Sequence, residues 1–106
     1  MILTQGSTYK LNVPLTKDGT NIDIELVDIV EFMFQDIRKL YGSDGDVTYD
    51  NENKVFVIPL SQDETFKLSG ESQIEYQARI KYKNGEVKAT PIQYGYVSES
   101  LSKKVL

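Results

Sequence analysis

The chain has 106 residues, with no cysteine, no histidine and no tryptophan. Twelve basic and sixteen acidic residues give a net charge of −4, and the two signs are interspersed from end to end. These counts exclude disulfides, thiolate chemistry and cysteine metal sites, and they remove both the commonest general base and the Ser-His relay.

The length suits one domain, residues 1–106. Folding at this size buries roughly two-thirds of the unfolded chain's surface, enough for a core without staples. A nucleic-acid binder carries a basic stripe, and the only basic cluster here is Lys103-Lys104, so no nucleic-acid partner is expected. The longest apolar stretches, such as Val55–Leu60, fall far short of the ~20 residues that span a bilayer, so no membrane partner is expected. The opening MILTQGSTYK has neither a basic nor an apolar leader region, which predicts a soluble product made in the cytoplasm.

Period-2 alternation is the dominant signal along the chain. Tyr9, Leu11, Val13 and Leu15 mark a first strand, at an edge or bulge because Pro14 cannot donate to a ladder. Asp18-Gly19 turns the chain. Ile22, Ile24 and Leu26 share their parity with Val30, Phe32 and Phe34, which predicts two strands joined by a bulge or bend near Val27–Asp28. Ile37–Tyr41 follows, closed by Gly42-Ser43-Asp44-Gly45, and then a short strand over Val47–Tyr49. Val55–Leu60 is apolar on both faces and reads as a central strand. Ser61 followed by Glu64 is a capping box that predicts a helical turn, stopped by Gly70. The clearest strand is Ile74–Tyr82, and Asn84-Gly85 after it predicts a type I′ hairpin returning through Glu86–Ala89. Ile92–Val97 is the last strand, with Tyr94 and Tyr96 on the parity of Ile92 and therefore facing inward. Ser98–Leu106 reads as a strand extension, a short helix or a docking arm. The sum is an all-β sandwich of about seven short antiparallel strands with one helical turn.

No catalytic, cofactor-binding or metal-binding residue emerges. Asp44, Asp46, Asp50, Glu52, Asn51 and Asn53 crowd two loops, but their spacing lacks the glycine and glutamate of a calcium loop, and the same residues are ordinary turn formers. Sixteen acids single out no catalytic carboxylate pair. The lysines stand in no Ser-x-x-Lys pattern, and no Gly-rich phosphate loop is present. Seven tyrosines admit a carbohydrate-binding reading, but strand parity assigns most of them to the core. Tyr41 and Tyr49, beside loops, are the candidates for exposed contacts.

Four groups of residues carry a resemblance. They are Leu3-Thr4-Gln5-Gly6-Ser7-Thr8-Tyr9-Lys10 with Thr16-Lys17-Asp18-Gly19, then Ile22-Asp23 leading into Val30-Glu31-Phe32-Met33-Phe34, then Leu60-Ser61-Gln62-Asp63-Glu64-Thr65, and the hairpin from Tyr76 to Tyr82-Lys83-Asn84-Gly85. Together they resemble the N-terminal immunoglobulin-like domain of phage upper baseplate proteins and related small prophage structural proteins of Gram-positive hosts. The resemblance implies an immunoglobulin-like sandwich, made in the host cytoplasm and built into a virion, whose partners are other phage structural proteins or copies of itself. In upper baseplate proteins a long extension with receptor-binding parts follows this domain. A chain ending at Leu106 is expected instead to serve as a connector or accessory component. The alternative function is a small carbohydrate- or cell-surface-binding module. Candidate partner-binding residues are Ile2 and Leu3 near the start, Tyr41 and Tyr49, and Leu101, Lys103, Lys104, Val105 and Leu106 in the tail. Ile2, Leu3, Leu101, Val105 and Leu106 are apolar residues that the strand pattern does not need for the core. The competing expectation is that the tail packs back on its own sandwich.

Overall fold

The computed structural model describes all of residues 1–106. The chain is mostly β. In order it forms β1 (Ile2–Thr4), β2 (Tyr9–Val13), β3 (Thr16–Lys17), β4 (Thr20–Asn21), a 3-10 turn (Ile24–Leu26), β5 (Val27–Phe34), β6 (Ile37–Tyr41), β7 (Thr48–Asp50), β8 (Val55–Leu60), α1 (Gln62–Phe66), β9 (Ser72–Tyr82), β10 (Val87–Ala89) and β11 (Gln93–Ser98). Eleven strands stand where about seven were expected. The surplus comes largely from two- and three-residue strands such as β1, β3 and β4, too short for alternation to register.

One sheet runs β1-β11-β9-β5-β6, with β10 paired to the second half of β9; another runs β2-β8-β7, and β3 and β4 make a separate hairpin. The strand pairings are antiparallel with one exception. β1 lies parallel to β11, with Ile2 beside Tyr96, which corrects the wholly antiparallel expectation. Its two strands come from opposite ends of the chain, so no local pattern signals the pair.

Turn chemistry decides several local outcomes. Asp18 and Gly19 both take positive φ (54° and 78°), as a type I′ turn demands, and they close the β3–β4 hairpin. Ile22, Ile24 and Leu26 do not become a strand. Asp23 accepts the Glu25 N–H at 3.0 Å and caps the 3-10 turn, a local bond that competes with any ladder. The expected bulge is present: the register of β5 against β9 slips between Val27 and Ile29. β2 is an edge strand that ends one residue short of Pro14. The capping box also forms, with Ser61 Oγ accepting the Glu64 N–H at 3.2 Å and the Glu64 carboxylate accepting the Ser61 N–H at 2.9 Å.

Both main sheets turn apolar faces to one core. Phe56 on β8, the central strand of its sheet, lies with its ring 5.6 Å from Phe32, 5.2 Å from Tyr41 and 4.8 Å from Tyr49. Phe34, Ile58, Leu60, Ile74 and Val97 extend the same cluster. One inward position on β6 is a cation. Lys39 is buried between Ile37 and Tyr41, and its ammonium meets Glu64 at 2.7 Å and Asp46 at 2.8 Å. Burial pulls the Lys39 pKa down, but the hydrogen bonds to Asp46 and Glu64 outweigh it and leave the pKa above its ordinary value.

The Asn84-Gly85 hairpin is real, but its turn differs from expectation. Only Gly85 has positive φ (92°); Asn84 does not. Gly85 N–H bonds to Tyr82 O and Tyr82 N–H to Glu86 O, both at 2.9 Å. This is a type I turn followed by a glycine bulge, in which the glycine alone needs the left-handed region. A Cβ on Gly85 would meet no atom within 4 Å, so substitution there strains only the backbone. Gly85→Val is therefore expected to lose about 1–3 kcal/mol in thermal unfolding. Gly85→Asn is expected to lose less, because asparagine tolerates positive φ. An unchanged melting temperature for the valine variant would contradict this turn.

Candidate interaction surface

β11 turns over relative to the sequence reading. Gly95 and Val97 face the core, whereas Tyr94 and Tyr96 are 56% and 40% exposed. Ile92 precedes β11 and is itself exposed, so its parity marks the outer and not the inner side of the strand. Gly95 belongs on the inner side because Met1 closes over it. A Cβ there would come within 3.1 Å of the Met1 carbonyl oxygen and of its Cε.

With that parity, the outer face of the larger sheet gathers large apolar side chains at its β1–β11 edge. Ile2, 71% exposed, stands beside Tyr96, and Ile92 lies close to the same strand. Glu71 accepts the Glu99 N–H at 2.9 Å and the Tyr96 hydroxyl at 2.7 Å. Those bonds hold Glu71 below the usual carboxylate range, and the Glu71 bond raises the Tyr96 phenol. Tyr94 is the cross-strand neighbour of Glu75. Next to it a shallow hollow of about 590 Å³ is lined by Met33, Gln35, Gln73, Glu75, Gln77 and Ile92 among others.

Farther across this face, Glu31 lies buried beneath two guanidiniums, with Arg79 Nε at 2.8 Å and Arg38 Nε at 2.6 Å. The ladder spans three strands, since Glu31 is on β5, Arg79 on β9 and Arg38 on β6. The hydrogen bonds from Arg79 and then Arg38 depress the Glu31 pKa despite its burial.

The candidate partner-binding residues divide into three groups. Ile2 joins the exposed face. Leu3, one residue on, is 1% exposed and belongs to the core, because β1 alternates its sides. Tyr41 and Tyr49 are corrected too: half-buried, they pack their rings on Phe56 and are not free contacts. Their position beside loops was a poor guide, since both still sit on β-ladders that meet the core. Leu101, Lys103, Lys104, Val105 and Leu106 remain together on the tail.

That tail is neither strand nor helix beyond Ser98. It turns back on its own domain through polar groups. The Gln5 side-chain oxygen accepts from Lys103 Nζ at 2.8 Å, and Gln62 accepts the Leu106 N–H at 2.7 Å. Its apolar side chains point away, with Leu101 and Leu106 fully exposed and Val105 at 55%. Packing in cis and display of apolar groups thus occur in the same segment, which the sequence reading had set as alternatives.

The acidic loops do not converge. Asp46 is drawn to Lys39, and Asp50 folds onto its own turn by accepting the Glu52 and Asn53 N–H groups at 3.0 and 3.2 Å. No three His, Cys, Asp or Glu residues group as metal ligands, and no helix is long and apolar enough to cross a membrane. No family model matches the chain, and no curated protein or solved structure matches it.

The depressed carboxylates set an acid limit on stability. Glu31 and Glu64 both titrate below their ordinary 4.5 in the folded chain; for Glu64, burial raises the pKa but the bonds from Lys39 and Ser61 outweigh it. A depressed folded pKa contributes stability that is complete above the unfolded value and is lost as pH falls through the folded one. Melting temperature is therefore expected to drop as pH falls below about 4.5. Glu31→Gln should melt lower at pH 7, by about 1 kcal/mol given the exposed arginines, and should show a shallower acid limb. Parallel acid limbs for the two proteins would remove Glu31 from this role.

Proposed function

We propose that the chain is an immunoglobulin-like, non-enzymatic structural module of a phage or prophage tail, acting through protein–protein contacts as a connector or accessory component. The strand order supports the immunoglobulin-like part. β11-β9-β5-β6 follows the G-F-C-C′ order of a variable-type sheet, and β2-β8-β7 follows B-E-D. Without cysteine or tryptophan, Phe32 and Phe56 occupy the centre between the sheets. The motifs of the first strands, the Ser61–Glu64 turn and the Asn84-Gly85 hairpin support the phage part by resemblance.

The observation that carries a contact function is the exposed cluster of Ile2, Ile92, Tyr94 and Tyr96 at the β1–β11 edge of the larger sheet. Large exposed apolar patches on a small domain mark interaction sites. The aliphatic members favour protein over sugar. A second reading, binding of cell-surface carbohydrate, draws on Tyr94 and Tyr96 at alternate positions of one strand with Glu71 and Glu75 beside them. Mass spectrometry of particles released from the host strain separates the two. The structural role expects this chain in purified particles in stoichiometric amount. Its absence from particles, together with polysaccharide binding lost in Tyr94→Ala and Tyr96→Ala, would overturn the structural reading in favour of the second.

A further inference from the structure

The outward side chains of β9 read Gln73, Glu75, Gln77, Arg79 and Lys81, alternating with inward Ile74, Ala78 and Ile80. Gln77 divides them, with acid on one side and base on the other. The strands flanking that side of β9 repeat the division in apolar form. Tyr94 and Tyr96 stand beside Glu75 and Gln73, while Ala89 and Val87 stand beside Arg79 and Lys81. All four flanking side chains are exposed.

We infer that this face binds a second copy of the same chain across a two-fold axis that passes by Gln77, in the plane of the interface and across β9. A half-turn about that axis lays the two β9 strands antiparallel, face to face. Glu75 then meets the partner's Arg79, Gln73 meets the partner's Lys81, Tyr94 meets the partner's Ala89 and Tyr96 meets the partner's Val87. An interface between identical subunits must be self-complementary, and Glu75 and Arg79, equally spaced either side of Gln77, meet that condition as an ion pair, with the Gln73 amide opposite Lys81.

The groups needed are free to pair. Glu75 makes no ion pair within its chain, and Arg79 engages Glu31 through Nε alone. Arg38, beside Met33 near the axis, faces its own symmetry mate, and Glu31, which it shares with Arg79, offsets part of that repulsion. Met33 and Gln77 stand at the rim of the hollow, which extends toward Glu75 and Gln73 on one side of the axis. The inference rests on reading this face as a protein-contact surface and names its partner.

Sedimentation equilibrium of the full chain tests it. The native protein is expected to form dimers that weaken with added salt. Glu75→Arg sets arginine against the partner's Arg79 and is expected to weaken dimerisation about tenfold or more. Glu75→Arg combined with Arg79→Glu restores the opposite charges and should restore the dimer. Because Arg79→Glu also faces Glu31, a second variant leaves that ladder intact. The native chain has no cysteine, so Gln77→Cys with a short bismaleimide should give a covalent dimer, whereas Leu101→Cys in the tail should not. A native protein that stays monomeric at every concentration overturns the proposal. So does a dimer that ignores Glu75→Arg and fails to cross-link through Gln77→Cys. A monomer that is nevertheless found in purified particles would remove the self-partner and leave the protein-contact reading standing.

Discussion

The hydrogen-bonded position of β9 between β5 on one side and β11 and β10 on the other is the constraint on which the rest of the molecule depends. Side chains of a strand alternate with a period of two, so fixing one face fixes the other. Burial of Ile74, Ala78 and Ile80 sends Gln73, Glu75, Gln77, Arg79 and Lys81 outward. A slip of one residue would place charges in the core. The apolar energy that selects this register therefore also writes the order of charges on the outer face. Packing and surface chemistry are one choice here.

Closure of the second sheet relies on Phe56, whose ring meets residues from β5, β6 and β7. A buried phenylalanine stabilises by roughly 3–5 kcal/mol relative to alanine, a large share of what a domain of this size retains. The buried Lys39 works differently. Its pairing with Glu64 and Asp46 ties α1 and the β6–β7 loop to the edge of the larger sheet, and removing either carboxylate would leave a desolvated charge less well matched. An apolar residue at the same position would fill space without holding those two segments in place.

Much of the fold was legible because it rests on local rules. The alternation of β9, the doubly apolar run of β8, the β5 bulge and the Ser61–Glu64 capping box are each encoded within a few residues. What escaped depends on distant partners. β1 exists because β11 is there to receive it, so Leu3 looked like a spare apolar residue and turned out to be core. Tyr94 and Tyr96 were given the wrong side because the phase of β11 is set by Gly95 under Met1, a contact between the two ends of the chain. Gly95 was the available clue, since a glycine flanked by tyrosines leaves room for a close approach on its own side. Of the exposed apolar cluster only Ile2 stood out in the sequence, whereas Leu101, Val105 and Leu106 of the tail stood out together and are exposed.

Self-pairing through the outer face of the larger sheet is the central claim, and amide NMR over a dilution series addresses it residue by residue. Concentration-dependent shifts are expected to concentrate on Gln73–Lys81, on Val87–Ala89 and on Tyr94–Tyr96, while the amides of β2, β8 and β7 stay fixed. Shifts confined to the β2-β8-β7 sheet, or spectra unchanged at every concentration, would contradict it.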